Sequence, residues 1–462
     1  MGNLKFFQPP VINQPAAKRT KNFLEVSLGL AKRTALDEAR RCPQCAIPTC
    51  QAACPLNIDI LGFIRLLRES ETSQALAKIK EQNFFPSFCG RVCSAPCEKA
   101  CVFAADGSPI AIRLLERFAA DNGQEKSLLV RSPKPSGPKI AVVGSGPSGL
   151  ILARTLVNQN FQVTVFEMLP VLGGILCYGM PEFRLPYKVV RREIEAMTKR
   201  GVEFKTDSFV GHGIAVDELF SQGFNAVVLA TGTGGAQLTD IPGADLCGVY
   251  YAEEILLSTN LFSEKDLRQR IFVNKCKKAA VVGKNYAALD CARIFRRLDK
   301  EVILIVDGPE EAIDVYPQDL KDALDEGVKL SAMTQVNEIV PSNENSAIGL
   351  RCVTLDYAEV ASTGKWELAA VPGSESVVDT NTVILSLGHR VNTSLAQAIP
   401  GLKSNTDGTV WFSDNKKTSL AHIFVAGDAA KSGGLLVQAM ASGKEVAGIF
   451  TEYFAKKNEP KK

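Results

Sequence analysis

Three features of the sequence predict an α/β protein: an N-terminal α-helical domain followed by two doubly wound, Rossmann-like dinucleotide-binding domains. Eight of the 13 cysteines fall between Cys42 and Cys101, among helical patterns such as Ile60 to Leu67. A short apolar strand running into a glycine turn and a helix begins at Ile140, and a second one begins at Ala279. Further strand-like runs at 226–229, 302–306 and 383–385 alternate with helical stretches, the pattern of a parallel sheet covered on both faces. With 462 residues, 46% hydrophobic and 22% charged, the chain is long enough for several globular cores and has ordinary globular composition.

Lys and Arg (53) nearly balance Asp and Glu (50), far from the basic excess of a phosphate-backbone binder, so nucleic acid is not an expected partner. No apolar run approaches the roughly 20 residues that span a bilayer, and Met1 to Lys21 lacks the apolar core of a secretory signal. A soluble, cytoplasmic protein without a membrane span is expected. In that setting a dense cysteine segment favours metal or cluster ligation over disulfides.

The helical domain is expected over residues 1–130, closed by a proline-rich linker from Arg131 to Pro138. Its cysteines form two groups. The first reads Cys42-x2-Cys45-x4-Cys50-x3-Cys54-Pro55, the second Cys89-x3-Cys93-x3-Cys97-x3-Cys101. Four thiolates converging on one small object suit an iron–sulfur cubane, and a Cys-Pro after closely spaced cysteines is typical of ferredoxin segments. Four-cysteine zinc is the alternative, although it usually draws on two well-separated Cys-x2-Cys pairs. Read from the residues alone, Cys89 would be a ligand.

These runs, with Phe88-Cys89-Gly90-Arg91-Val92-Cys93 and Pro96-Cys97-Glu98-Lys99-Ala100-Cys101, resemble the small subunit of glutamate synthase and its relatives, including the N-terminal part of dihydropyrimidine dehydrogenase. The resemblance implies two [4Fe-4S] clusters with interleaved ligands. Cys42, Cys45, Cys50 and Cys101 would hold one; Cys54, Cys93, Cys97 and Glu116 would hold the other, leaving Cys89 spare. Residues 138–250 with 386–455 would then form an FAD-binding domain, and 251–385 an inserted NAD(P)-binding-like domain.

Gly144-Ser145-Gly146-Pro147-Ser148-Gly149, with Glu167 closing the next strand, is a dinucleotide fingerprint in full context: glycines admit a pyrophosphate at a helix N-terminus and the acid accepts from a ribose hydroxyl. Gly174, Thr231-Gly232 and Gly427-Asp428 point to FAD. Asp428 resembles the family residue on the flavin ribityl chain, and the helix after Leu436-Val437-Gln438 would point its N-terminus at the flavin ring. The segment from Cys177 to Pro186, with Arg184, resembles the family's loop beside the flavin. Cys177 lacks a nearby second cysteine and reads as a packed neutral thiol.

The second turn departs from the family. It reads Val282-Gly283-Lys284-Asn285-Tyr286-Ala287-Ala288, with Asp307 after the next strand in place of the family's 2′-phosphate-gripping arginines. Two readings follow. In the first, NAD(H) binds in an altered pose, with Gly283, Lys284 and Asn285 at the nucleotide and Asp307 accepting from a free 2′-hydroxyl. In the second, the site has decayed to scaffold. NAD(H) is preferred, and NADPH is least expected.

A flavin joins hydride chemistry to single-electron clusters. The expected protein is therefore an electron-transfer oxidoreductase subunit, exchanging electrons between NAD(H) and a larger partner subunit through FAD and two [4Fe-4S] clusters within a hetero-oligomer. The alternative is a relay subunit with a non-functional nucleotide site. No general acid or base is assigned, and His212, His389 and His422 are read as structural.

Overall fold

The computed structural model describes residues 9–124, 135–262, 264–360 and 365–458. Residues 131–134 of the expected linker and the last four residues of the chain lie outside them. Up to Asn122 the chain is helical, with helices Lys32–Arg41, Ile60–Arg68, Thr72–Lys80, Pro86–Val92 and Ile112–Asn122 and one-turn helices at Thr49–Ala52 and Pro96–Lys99. Apolar residues at helical spacing turn one stripe inward, as Ile60, Phe63, Ile64 and Leu67 do. Asp59 starts that helix by accepting from the Gly62 N–H at 2.8 Å. Pro86–Val92 lies so close to Ile112–Asn122 that a Cβ on Gly90 would stand 2.5 Å from the Arg117 Cα, an approach only glycine permits.

Two five-stranded parallel sheets follow. The first has the order Ile423–Val425, Ala226–Leu229, Lys139–Val143, Gln162–Phe166, Glu203–Lys205; the second has Val249–Tyr251, Thr382–Leu385, Lys278–Val282, Glu301–Ile305, Lys329–Ser331. In each, the central strand runs into a glycine turn and is flanked by its sequence successor on one side and a later strand on the other. This is the crevice where doubly wound sheets take ligands. Both central strands are buried on two faces, which is why they read as unbroken apolar runs.

One expected boundary is corrected. Val249–Tyr251 pairs with Thr382–Leu385, so the second unit begins before residue 251. A three-residue strand ending in two tyrosines carries too little apolar pattern to be read alone. The crossings between the units, Gly234–Ala236 and His389–Val391, pair antiparallel with each other. An antiparallel excursion of four strands (Thr334–Pro341, Ala347–Val360, Lys365–Ala370, Ser376–Asp379) interrupts the second unit and was not anticipated.

Several contacts bind the helical domain to the rest. Ser87 donates to Glu193 at 2.9 Å, and Lys444 of the C-terminal helix Leu436–Asn458 donates to the Gln82 carbonyl at 3.0 Å. The N-terminal segment reaches the second unit, where the Arg19 guanidinium donates to the Asp322 carbonyl at 2.9 Å and pairs with Glu326 at 2.9 Å. Arg293 and Arg297 converge on the same carboxylate. Burial works against its charge, yet these arginines hold the Glu326 carboxyl down at about 2.

Candidate cofactor sites

At the first turn, helix Pro147–Asn158 starts without a side-chain cap, leaving its first N–H groups free for an anion. Proline at the first position has no N–H to lose. A Cβ on Gly149 would lie 2.0 Å from the Gly144 carbonyl, so the helix can sit this close only with glycine there, whereas a Cβ on Gly146 would meet nothing within 4 Å. Gly174 (φ +54) backs the turn, its hypothetical Cβ 2.7 Å from the Gly146 Cα. The Ser148 hydroxyl is buried with no hydrogen-bond partner. An uncapped helix, open space at Gly146 and an orphaned hydroxyl together fit a pyrophosphate.

Glu167 is already engaged. One carboxylate oxygen accepts from the Ser145 N–H (3.0 Å) and hydroxyl (2.6 Å), the other from the Leu169 N–H (3.0 Å). It braces the turn while keeping acceptor capacity for a ribose. Ser145, unremarked in the sequence, also accepts from the Gly173 N–H at 2.9 Å and so ties the two glycine segments together. Across the sheet, Gly427 (φ +67) packs on Ser148, and Thr231 and Gly232 follow the neighbouring strand. Burial lifts the Asp428 carboxyl to about 6, against the pull of His389. The Gln438 side chain accepts from the Leu435 N–H at 2.8 Å, capping the helix expected to face the flavin. Burial raises the Cys177 thiol to about 12, in keeping with a packed neutral residue.

Arg184, on the loop expected beside the flavin, turns its side chain to the second unit. Its guanidinium pairs with Asp290 at 2.5 Å and stacks 4.1 Å from the Tyr286 ring, both on the helix after the second turn, so its partners belong to the second unit. Asp290, lifted to about 6 by burial despite Arg184, is the buried anion that draws it there.

At the second turn the helix Tyr286–Arg297 caps itself. Asn285 accepts from the Ala288 N–H at 3.0 Å and from the Ser386 hydroxyl at 2.8 Å, and donates to the Ser386 carbonyl at 3.1 Å. The amide occupies the helix N-terminus, the place where the nucleotide is expected. Gly283 (φ +150) is required, since a Cβ would lie 2.3 Å from the Ser386 carbonyl. Lys284 pairs with Asp307 at 3.2 Å, both half exposed.

None of the thirteen cysteines forms a disulfide; of the N-terminal ones, Cys50 has Cys101, Cys42 and Cys45 as charged neighbours, and Cys54, Cys89, Cys93 and Cys97 have Glu116. Burial lifts Cys50 to about 11, with smaller influences from Cys101, Cys42 and Cys45. The Thr49 hydroxyl, donating to the Ala100 carbonyl at 2.6 Å, holds those loops together. Burial likewise raises Cys54, Cys89, Cys93 and Cys97, and each also feels Glu116. Glu116 is buried and lifted to about 8 while accepting from Asn83 at 2.7 Å. The Gly90 approach sets it beside the second cysteine run. Cys89 is fully buried, its sulfur 3.8 Å from the Met440 sulfur of the C-terminal helix. Among the described residues no three His, Cys, Asp or Glu side chains close on a single-ion site.

Thiols in two groups, an uncapped fingerprint helix and a second doubly wound unit define a flavin and iron–sulfur oxidoreductase of the two-dinucleotide class. Residues 138–443 match the pyridine nucleotide-disulphide oxidoreductase family, and 19–128 match dihydropyrimidine dehydrogenase domain II, 4Fe-4S cluster. The glutamate synthase [NADPH] small chain of Mycobacterium tuberculosis is 30% identical over 458 residues, covering 95% of this chain and 92% of its own; that of Escherichia coli is 29% identical over 457, covering 96% of each. Mycobacterium tuberculosis FprA in complex with NADPH shares the fold, with TM-score 0.56 at 17% identity, covering 70% of this chain and 86% of its own. The chain belongs to the glutamate synthase small-chain-like family of FAD and iron–sulfur pyridine nucleotide oxidoreductases. Among the described residues no helix is long and apolar enough to cross a membrane.

Proposed function

We propose that the chain is the electron-exchanging subunit of a larger assembly, linking NAD(H) to a partner subunit through FAD and two [4Fe-4S] clusters. When bound, FAD supplies the exchange between a hydride and single electrons. Gly144, Gly146 and Ser148 hold the pyrophosphate at the helix start, Glu167 the ribose, and Asp428 the ribityl side. Cys42, Cys45, Cys50 and Cys101 hold one cluster; Cys54, Cys93, Cys97 and Glu116 hold the other, with Asn83 orienting the carboxylate. The relatives' designation as small chains supports a larger partner.

Asp307 carries the choice of NAD(H). An acid at this strand end accepts from a free 2′-hydroxyl and repels a 2′-phosphate. Anaerobic mixing of the cofactor-replete protein with NADH, and separately with NADPH, tests it: rapid flavin bleaching by NADH alone is expected. A second reading has its own support, because the Asn285 amide fills the helix N-terminus that a nucleotide pyrophosphate would use. Bleaching by dithionite but by neither nucleotide would favour that relay reading.

A further inference from the structure

The buried charge that neither the fold nor the cofactor sites account for is Arg113. It lies on helix Ile112–Asn122, three residues before Glu116, and is only 7% exposed. Its Nη1 donates to the Cys93 carbonyl at 3.1 Å, and its guanidinium lies 3.7 Å from the centre of the Tyr316 ring. Its Nε is buried without a hydrogen-bond partner. The guanidinium is held directly by a carbonyl and a ring face, with no ion pair to it among the described residues, while Glu98 and Asp319 are the carboxylates that feel its charge.

The ring that holds it comes from the second unit. Tyr316 precedes helix Pro317–Asp325 of the second unit, and its own hydroxyl donates to Glu98 at 3.0 Å. Glu98, the residue after Cys97, accepts from the Arg113 N–H at 2.8 Å with its other oxygen. The Tyr316 N–H donates to the Tyr286 hydroxyl at 2.8 Å, and that hydroxyl donates to Asp319 at 3.2 Å. A continuous polar chain therefore runs from the first residue of the second fingerprint helix to the Cys93–Cys97 loop.

We infer that Arg113 is a positioning residue for the cluster of Cys54, Cys93, Cys97 and Glu116: it fixes the ligand loop and sets the cluster's potential, and Tyr316 of the second unit is the clamp that keeps it there. The inference rests on the two-cluster reading above. Reduction adds negative charge to a cluster, so a nearby buried cation favours the reduced form and raises the potential. Loss of the cation lowers the potential of this cluster alone. Loss of the Tyr316 ring frees the guanidinium and lowers it by less.

The test is a redox titration of the anaerobically purified full chain, followed by electron paramagnetic resonance. The iron count comes first: about eight atoms per chain are required by two cubanes, and about four would overturn the two-cluster reading rather than the role of Arg113. The signal missing from Glu116→Ala marks the cluster concerned. Arg113→Met is expected to lower the midpoint potential of that signal and leave the other unmoved, with Arg113→Lys near the parent value and Tyr316→Leu in between. Unchanged potentials in variants that keep both clusters, or equal movement of both signals, would overturn the inference. If Arg113→Met fails to assemble the cluster, Tyr316→Leu decides, read against Tyr316→Phe, which loses the same hydrogen bond to Glu98 but keeps the ring over Arg113 and is expected near the parent value.

Discussion

Lys284 and Asp307 meet at 3.2 Å, joining the residue after the second-turn glycine to the residue just past the adjoining strand. Both are half exposed, so the pair contributes at most about 1 kcal/mol and a ligand can part it. A 2′-hydroxyl can take over the Asp307 oxygen; a 2′-phosphate meets a carboxylate.

Asp307→Arg sets two cations at that corner and removes the acid. The expected result is a shift of at least about tenfold in the NADPH-to-NADH ratio of flavin-bleaching rates, equivalent to about 1.4 kcal/mol, measured by anaerobic stopped flow. An unchanged ratio in a variant that still reacts with NADH would remove Asp307 as the selector.

Asn285→Gly uncovers the start of helix Tyr286–Arg297. Glycine at a cap costs only a few tenths of a kcal/mol relative to Asn, whereas Asn285→Ala costs about 1 kcal/mol. Nucleotide affinity is expected to rise severalfold in Asn285→Gly, read by titration of flavin fluorescence. If the second site is scaffold, the glycine variant binds no better than the parent.

Glu116→Ala deletes the carboxylate that Asn83 orients beside Cys54, Cys93 and Cys97. Iron is expected to fall from about eight to about four atoms per chain, as counted by chemical assay, while FAD stays bound. Glu116→Gln keeps an oxygen donor in place and retains both clusters. Full iron in the alanine variant would point to Cys89 as the ligand instead.

His389 lies 3.0 Å from Glu253, and that hydrogen bond raises its pKa above the ordinary value, outweighing burial, with Asp428 adding to the rise. A histidine raised in this way stabilises the fold fully below its ordinary pKa of about 6.5, and loses the contribution as pH climbs through the raised value. Because His389 belongs to one of the paired crossings, the two units are expected to be less firmly joined above that range. Glu253→Gln should bring the His389 titration down, followed by NMR against His212 and His422.

Sequence reading reached what glycine and cysteine spacing encode locally. Gly144 to Gly149 with Glu167 specified strand, turn and helix, because each residue answers to backbone neighbours within one βαβ unit. The sorting of cysteines around Glu116 came from family resemblance, since nothing in the spacing reveals that Gly90 lets two helices close on each other. The Arg184 partner, Asp290, was not legible because it is 106 residues away. The capping role of Asn285 was hidden for the same reason: Ser386, which holds its amide, lies 101 residues further on. Lys365–Ala370 escaped because an exposed strand carries no apolar run, and Ala347–Val360 because its buried Leu350, Cys352 and Leu355 are separated by exposed polar residues.

The Arg19 anchor has a consequence in time. Its partner Asp322 lies 303 residues further along the chain, and synthesis at about 5–20 residues per second separates the two by roughly 15 to 60 s. Tyr316 emerges only shortly before Asp322. Until then Glu98 and Arg113, made more than 200 residues earlier, lack the hydroxyl and the ring face that Tyr316 brings to them in the finished protein.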